Sequence, residues 1–242
     1  MINADLSSWD VSSVTDMTQM FRNTQFNSDI TSWNVSNVQS MSALFYEHTD
    51  FNQDISGWDV SKVENMWAMF SGADAFNQDL SNWDVSSVTN MGSMFSRADA
   101  FNGDISNWDV SNVTSMNNMF NAATVFNGDI SNWDVSKVED MITMFRNASA
   151  FNQDLPWDTS SLTQAHHMFE SATAFNGNVS GWDLSGLVTS NAQTMFYNAA
   201  SFEGHGLETW NVSGVQIMNS MFRGTMINAD LSSWDVSSVT DM

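Results

Sequence analysis

The sequence lacks cysteine and contains a single proline, Pro156. Without cysteine the chain has neither a disulfide framework nor a thiolate metal site, and the redox compartment is left open. No apolar run approaches the ~20 residues that a transmembrane helix needs. We therefore expect no membrane span.

Positive charge is also scarce, with 6 Lys and Arg against 28 Asp and Glu and a formal net charge of −22. Such a chain repels polyanions, so nucleic acid is not an expected partner. The sequence has no cysteine nucleophile, no Gly-rich phosphate loop and no isolated Ser with a positioned His and Asp. We predict that the protein is not an enzyme.

What the sequence does have is a repeat of 24 to 28 residues, close to F-N-x-D-[I/L]-S-x-W-D-V-S-x-V-x-x-M-x-x-M-F-x-x-A. A period in this range is typical of a solenoid, in which each unit covers the apolar face of the next. The repeat is marked by a row of tryptophans: Trp9, Trp33, Trp58, Trp83, Trp108, Trp133, Trp157, Trp182, Trp210 and Trp234. We predict one solenoid over residues 1–242, with about nine units of ~25 residues.

Two segments of each unit carry the secondary-structure signals. Ser61 and Glu64 form a capping-box pattern, and apolar residues recur at steps of three and four from Val63 to Ala73, which predicts a short helix. The segment from Phe76 to Val85 predicts a strand of about three to five residues between turns. Short parallel strands alternating with short helices give an α/β, leucine-rich-repeat-like fold.

The units resemble those of the BspA-type leucine-rich-repeat surface proteins over essentially the whole chain. The resemblance is carried by the pattern W-D-V-S-x-V-x-x-M-x-x-M-F, as in residues 58–61 with Met69 and Phe70, and again from Trp108 to Phe126. It implies an extracellular or cell-surface protein used for display, adhesion and protein contact. It implies no activity common to all members.

The two ends of the chain are identical. Residues 1–17 read MINADLSSWDVSSVTDM and residues 226–242 read the same, at an offset of 225 residues, which predicts a 225-residue super-repeat. Neither end has the atypical capping repeat that covers the ends of other repeat arrays. We therefore expect the chain to bind itself end to end, as a segment of a fibre or long surface array. A closed ring and a fragment of a long repetitive adhesin are the alternatives.

A second hypothesis is a surface adhesin or receptor-like module that binds a host protein or glycan through its lateral face. The irregular units between Pro156 and Trp210 are the places for such a surface, and the candidate binding residues are Trp67, His205 and Glu208. An ice-binding or mineral-binding face would need flat rows of identical outward side chains. The outward positions vary too much to favour it.

Aspartates recur at two positions of the repeat, before [I/L]-S and after Trp. Each carboxylate either accepts hydrogen bonds from turn amides or shares Ca²⁺ with its neighbours, with Asp54, Asp79, Asp104 and Asp129 as the calcium candidates. Because Asn replaces Asp in both rows, hydrogen bonding is the favoured interpretation. We expect no cofactor, with Ca²⁺ as the alternative.

Asparagine also recurs, after the Phe of each unit, where we expect a buried ladder of mutually bonded side chains. Asn-x-Ser/Thr triplets start at five other asparagines. In a secreted eukaryotic protein these would be N-glycosylation sites. They are Asn34, Asn112, Asn147, Asn178 and Asn211.

Overall fold

The computed structural model describes residues 5–187 and 192–242. Within these residues the one helix is a short 3₁₀ helix, Leu207–Thr209, and there is no β-strand. Neighbouring repeats pair through isolated parallel bridges, from Asp16 with Ser40 to Asp140 with Gln164, and further along in two more places. The predicted α/β solenoid of short parallel strands and short helices is therefore wrong.

Each repeat instead forms a coil built from consecutive turns, and the coils stack in sequence order. Two of the turns occupy the D-[I/L]-S-x-W-D-V-S-x-V stretch, where the Trp58 amide donates to the Ile55 carbonyl at 3.0 Å and the Val63 amide to the Val60 carbonyl at 2.9 Å. Asp residues precede both turns, because their carboxylates accept an amide two residues on. This stretch takes the place of the predicted strand.

The predicted helix is replaced by turns in which some backbone amides donate within the turn and others donate to carbonyls of the next coil. The Met66 amide donates to the Asn90 carbonyl at 3.0 Å and the Ala68 amide to the Gly92 carbonyl at 2.8 Å, while the Met69 amide closes a turn onto the Met66 carbonyl at 3.1 Å. Ala68 has a φ of 53°, which an α-helix excludes and which the third position of a type II turn requires. Alternate amides thus leave the coil, and no run of helical bonds remains.

The same positive φ recurs at this position in every coil that the structure describes. The residues are Gln19, Ala43, Ala68, Ser93, Asn118, Thr143, His167, Thr194 and Ser220. A left-handed conformation costs a non-glycine residue about 1–2 kcal/mol. The cost is offset because these residues, from Gln19 to Thr194, also donate their amides to the neighbouring coil.

The predicted capping box is absent as well. The Ser61 hydroxyl donates to the Asp59 carboxylate at 2.6 Å, and the Glu64 amide donates to the carbonyl of Gln39 in the preceding coil at 2.8 Å. Ser61 therefore stabilises a turn, and no helix begins there.

The core is a set of side-chain columns that run along the stack. Phe70 lies 5.6 Å from Phe95 between ring centroids, and Trp83 lies 6.5 Å from Trp108 with the two rings 3° from parallel. The apolar positions predicted to share a helix face, such as Val63 and Met69, are fully buried. The spacing rule identified the inward side correctly although the backbone is not helical.

The tryptophans also join the coils through their indole groups. From Trp33 onward, each tryptophan of the row donates its N–H to a backbone carbonyl in the preceding coil, 27 to 31 residues earlier, as Trp33 does to Leu6 and Trp210 to Val179. This pairing satisfies the polar atom of an otherwise buried ring.

Candidate functional surfaces

The first coil, residues 5–25, presents a row of backbone carbonyls at one end of the stack. In the second coil the carbonyls of Ser42, Leu44 and Tyr46 accept amides of the first coil at 2.7 to 3.0 Å. The equivalent carbonyls of the first coil belong to Thr18, Met20 and Arg22. These three accept no backbone hydrogen bond from the described residues. We call them the acceptor row.

The coil that spans residues 202–225 presents the matching donors at the other end. In the coil before it, Thr194, Phe196 and Asn198 donate their amides onward to Asn219, Met221 and Arg223 at 2.7 to 3.0 Å. The equivalent amides of Ser220, Phe222 and Gly224 donate no hydrogen bond to any described residue. We call these three amides the donor row, and its spacing of alternate residues equals that of the acceptor row.

An apolar pocket of about 430 Å³ lies beside the donor row. The residues that line it include Met221, Phe222, Leu231, Trp234 and Val236. Phe222 is the last phenylalanine of its column among the described residues, with its ring 5.8 Å from that of Phe196 and 6.1 Å from that of Trp234. The pocket is therefore lined by side chains of the same types as those that form the core of the interior coils.

Val11 and Met17 are buried in the first coil, whereas the identical residues Val236 and Met242 are exposed in the last coil, which spans residues 226–242. Val11 is 5% exposed beneath the second coil, whereas its sequence equivalent Val236 is 40% exposed. At the opposite end Trp9 is 52% exposed and donates no indole hydrogen bond within the described residues. Each end thus offers apolar surface that the interior of the stack buries.

The aspartates of the two recurring positions bind their own turns, as the favoured interpretation predicted. The Asp104 carboxylate accepts the Ser106 amide at 2.9 Å, and the Asp59 carboxylate accepts the Ser61 amide at 3.1 Å. Hydrogen bonds from the amide and hydroxyl of Ser106 lower the pKa of Asp104 below its ordinary value. Those from the hydroxyl and amide of Ser61 lower the pKa of Asp59.

The calcium candidates Asp54, Asp79, Asp104 and Asp129 are all exposed, and each accepts the amide two residues on. Within residues 5–187 and 192–242, no group of three or more His, Cys, Asp or Glu side chains is placed to hold a metal ion. Calcium binding at these residues stays a prediction.

The asparagines that follow the phenylalanines form an ordered row, but it is neither buried nor mutually bonded. The Asn77 amide donates to the side-chain oxygen of Asn52 at 3.0 Å, and the Asn102 amide to that of Asn77 at 2.9 Å. These side chains are exposed. The predicted buried ladder is wrong because these side chains bond to groups of the next coil and not to one another: Asn52 accepts the Asn77 amide and also the side-chain nitrogen of Gln78, at 2.8 Å.

Trp67, a predicted binding residue, lies on the lateral surface beside Gly92 of the next coil. Its side chain is 38% exposed on the lateral surface, and its Cδ1 would lie 3.1 Å from a Cβ added at Gly92 in the next coil. The side-chain oxygen of Asn117, one coil further, would lie 2.7 Å from the same point. An indole edge and an amide oxygen therefore flank a small depression over a glycine.

His205 and Glu208 lie together at the irregular coil, around a polar pocket of about 330 Å³. His205 Nε2 is 3.5 Å from a carboxylate oxygen of Glu203, and both side chains are 53% exposed. The structure thus brings two of the three predicted binding residues together. Trp67 belongs to a different part of the stack.

The five candidate glycosylation asparagines are exposed. Asn112 differs from the others because its amide nitrogen donates to the Ser86 carbonyl at 2.9 Å and its oxygen accepts from Lys137 at 2.8 Å. Glycosylation at all five positions stays a prediction.

Sequence reasoning missed the donor and acceptor rows. These rows consist of backbone groups, so no side-chain pattern marks them. The signal that could have located them is the identity of residues 1–17 and 226–242, because it aligns each terminal coil with an interior one. No helix within the described residues is both long and apolar enough to span a membrane.

A stack of equivalent coils defines a tandem-repeat protein. The family model described as "Mycoplasma protein of unknown function, DUF285" matches residues 1–108, 97–204 and 179–242. The chain belongs to this family. No curated protein and no solved structure matches it. The family match supports a repeat protein family, and the BspA-type assignment stays a prediction.

Proposed function

We propose that the protein is an extracellular structural repeat protein whose copies associate head to tail into a fibre or long surface array. The supporting observation is the regular backbone pairing of neighbouring coils. Amides at alternate residues of one coil donate to carbonyls at the same spacing in the next, as Ala68 does to Gly92 and Phe70 to Met94.

Repetition of a contact between unlike ends produces a filament when the rotation between copies does not close a ring. The backbone groups that pair neighbouring coils resemble the edge of a sheet, which is a template for pairing with another chain. The apolar side chains that neighbouring coils bury between them add the driving force. The extracellular location rests on the resemblance of the repeats alone.

The net charge of −22 opposes association at low ionic strength. Salt screens repulsion between exposed charges, with a Debye length of about 10 Å at 0.1 M. Assembly is therefore favoured by salt, whereas a contact held mainly by ion pairs would weaken.

The test is sedimentation velocity and negative-stain electron microscopy over a wide range of protein and salt concentrations. We expect elongated particles whose length increases with protein concentration and with salt concentration. Met20→Glu places a charge in the acceptor row, where the side chain is 37% exposed, and should shift assembly to higher concentration by at least tenfold.

The matched control is Val125→Glu, which adds the same charge at a lateral side chain that is 45% exposed. It should assemble like the unsubstituted chain. Discrete monomers at every concentration, or equal effects of the two substitutions, would contradict the proposal.

The alternative function is binding of a glycan or protein through the lateral face, and the geometry at Trp67 favours a neutral sugar. An exposed indole supplies a flat apolar face, and the Asn117 oxygen beside it accepts a hydrogen bond from a hydroxyl group. Glycan-array binding that is lost in Trp67→Ala and retained in Trp9→Ala would support this function. Equal glycan binding by the two variants would contradict this function.

A further inference from the structure

We propose that Asn102 is a site of spontaneous deamidation, with water as the co-reactant, and that Gln153 protects the equivalent Asn127 from the same reaction. The proposal goes beyond the proposed function and holds whether or not copies of the chain associate. It concerns residues in the interior of the stack.

Asn102 and Asn127 have the same local sequence. Residues 101–111 and 126–136 both read FNGDISNWDVS, so each asparagine follows a phenylalanine and precedes a glycine. Both side chains are exposed, and the amides of the two glycines donate no hydrogen bond to any described residue. The third Asn-Gly pair starts at Asn176, which is partly buried and has a different local sequence. Any difference in reactivity between Asn102 and Asn127 in the folded chain therefore arises from tertiary contacts.

Deamidation begins when the backbone nitrogen of Gly103 attacks Cγ of Asn102. The new N–Cγ bond replaces the Cγ–Nδ2 bond, the glycine amide proton passes to Nδ2 through water, and ammonia leaves. Water then adds to either carbonyl of the cyclic imide and opens it to Asp or to iso-Asp. Glycine favours the attack because it has no Cβ to shield its nitrogen.

Tertiary contacts hold the two asparagines to different degrees. The side-chain oxygen of Asn102 accepts one hydrogen bond from the described residues, from the Asn127 amide at 2.9 Å. That of Asn127 accepts the Asn152 amide at 2.8 Å and also the side-chain nitrogen of Gln153 at 3.0 Å. The same nitrogen of Gln153 donates to the backbone carbonyl of Asn127 at 3.0 Å. Gln153 therefore restrains both the side-chain amide and the peptide group that must rotate to bring the glycine nitrogen onto Cγ.

We call this pair of hydrogen bonds from one glutamine the glutamine clamp, and it recurs in the stack. Gln53 and Gln78 donate in the same way to the asparagines of the coils before them, at 2.8 Å to each side-chain oxygen. The coil after Asn102 carries Gly128 at the position of the glutamine. Asn102 therefore combines a following glycine with the absence of a clamp.

Crowding at the two glycines acts in the opposite direction. A Cβ added at Gly103 would lie 2.3 Å from the Gln78 carbonyl oxygen, whereas one added at Gly128 would lie 3.9 Å from the Gly103 carbonyl oxygen. These contacts are made at the glycine Cα. The peptide group that must turn is the one whose oxygen Gln153 holds, so the clamp decides the order of the two rates.

The two products differ in their effect on the stack. Asp at position 102 keeps an oxygen that accepts the Asn127 amide. Iso-Asp carries the main chain through its side-chain carbon, which adds a methylene to the path between Phe101 and the turn at Asp104. Chains that contain iso-Asp should therefore melt at a lower temperature than the variant Asn102→Asp, which has the charge without the added methylene.

The test follows both asparagines in one sample of the folded full chain, kept below its melting temperature at slightly alkaline pH. Trypsin releases residues 98–137 as one peptide, and fragment ions in tandem mass spectrometry locate each new carboxyl group. We expect deamidation at Asn102 to be about tenfold faster than at Asn127, because Gln153 adds two hydrogen bonds that must open first. In guanidinium chloride the two rates should be equal, since the local sequences are identical.

Two substitutions exchange the protection. Gln153→Ala should raise the rate at Asn127 to that of Asn102, and Gly128→Gln should lower the rate at Asn102 to that of Asn127 in the unsubstituted chain. Gln53→Ala, which removes a clamp elsewhere in the stack, is the matched control and should change neither rate.

Equal rates in the folded chain, or no reaction at Asn102 while the denatured chain reacts, would overturn the proposal. Faster reaction at Asn127 would also overturn it, because crowding at the glycines would then decide. A rate at Asn127 that Gln153→Ala leaves unchanged would remove the role of the clamp. The comparison within the unsubstituted chain needs no variant, so it remains decisive if a substitution destabilises the fold.

Discussion

The indole N–H of Trp108 donates a hydrogen bond to the carbonyl oxygen of Leu80, 28 residues earlier, at 3.0 Å. Trp108→Phe removes this buried bond and part of the ring volume, so we expect the free energy of unfolding to fall by about 1–2 kcal/mol. Trp9→Phe is the control, since Trp9 is 52% exposed. Trp9→Phe should lower the free energy of unfolding, measured by urea denaturation, by less than about 0.5 kcal/mol. Equal losses would show that the indole bonds do not join the coils.

The aspartate rows make a second prediction, at the calcium candidate Asp104. Asn178 holds the equivalent position and its oxygen accepts the Ser180 amide at 2.8 Å, so Asp104→Asn should retain both the turn and the stability at neutral pH. Asp104→Ala loses the acceptor and should cost about 1 kcal/mol.

Thermal melting with and without a chelator completes this test. If Asp104 only accepts hydrogen bonds, a chelator should not change the melting temperature, and Asp104→Asn should change it only slightly. A fall in melting temperature on chelation that vanishes in Asp104→Asn would instead establish calcium. Because the folded-state pKa is lowered from 3.8, the contribution of Asp104 is present above that pH and is lost as the pH falls below it.

The third prediction concerns His48, which should make the free energy of unfolding fall in acid at a pH well above the range in which carboxylates titrate. Its side chain is fully buried against Phe45 and Phe51, and neither ring nitrogen has a hydrogen-bond partner of ordinary geometry among the described residues. Burial lowers the pKa of His48 from 6.5, an effect only partly offset by the Phe26 backbone and the charge of Asp50. The unfolded chain therefore binds a proton more readily, and stability falls as the pH drops below about 6.5.

The substitution that checks this is His48→Ala, because interior coils carry Ala73 and Ala98 at the same position. We expect its unfolding free energy to decline less than that of the unsubstituted chain between neutral pH and the carboxylate range. His205→Ala, at a side chain 53% exposed, is the control for the loss of an imidazole. Parallel profiles for His48→Ala and the unsubstituted chain would rule out this assignment.

Gly206 makes the fourth prediction, at the irregular coil. It has a φ of 93°, and an added Cβ would lie 2.3 Å from the Ser180 amide nitrogen. Gly206→Ala should therefore destabilise by about 2 kcal/mol or more. At Gly57 an added Cβ meets nothing within 4 Å and φ is not positive, so Gly57→Ala should be neutral within about 0.5 kcal/mol. Chemical denaturation of the two variants gives the comparison.

Sequence reasoning succeeded where side chains carry the information. The repeat located the tryptophan row, and the apolar steps from Val63 to Ala73 identified the buried positions. It failed where backbone pairing decides. Apolar residues at steps of three and four fit one face of a helix, but they also fit consecutive turns that direct these side chains inward. Neither alanine nor serine favours a positive φ, so the sequence does not predict the backbone conformation of Ala68 and Ser93.

The sequence by itself determined which residues face the core and how far the pattern repeats, because both depend on the order of apolar and polar side chains. Only the tertiary structure decided what the backbone does between them. The Ala68 amide lies within 2.8 Å of the Gly92 carbonyl, so the neighbouring coil satisfies a donor that a helix would have bonded internally. The choice between turn and helix therefore depended on a partner about one repeat away, which no local stretch of sequence contains.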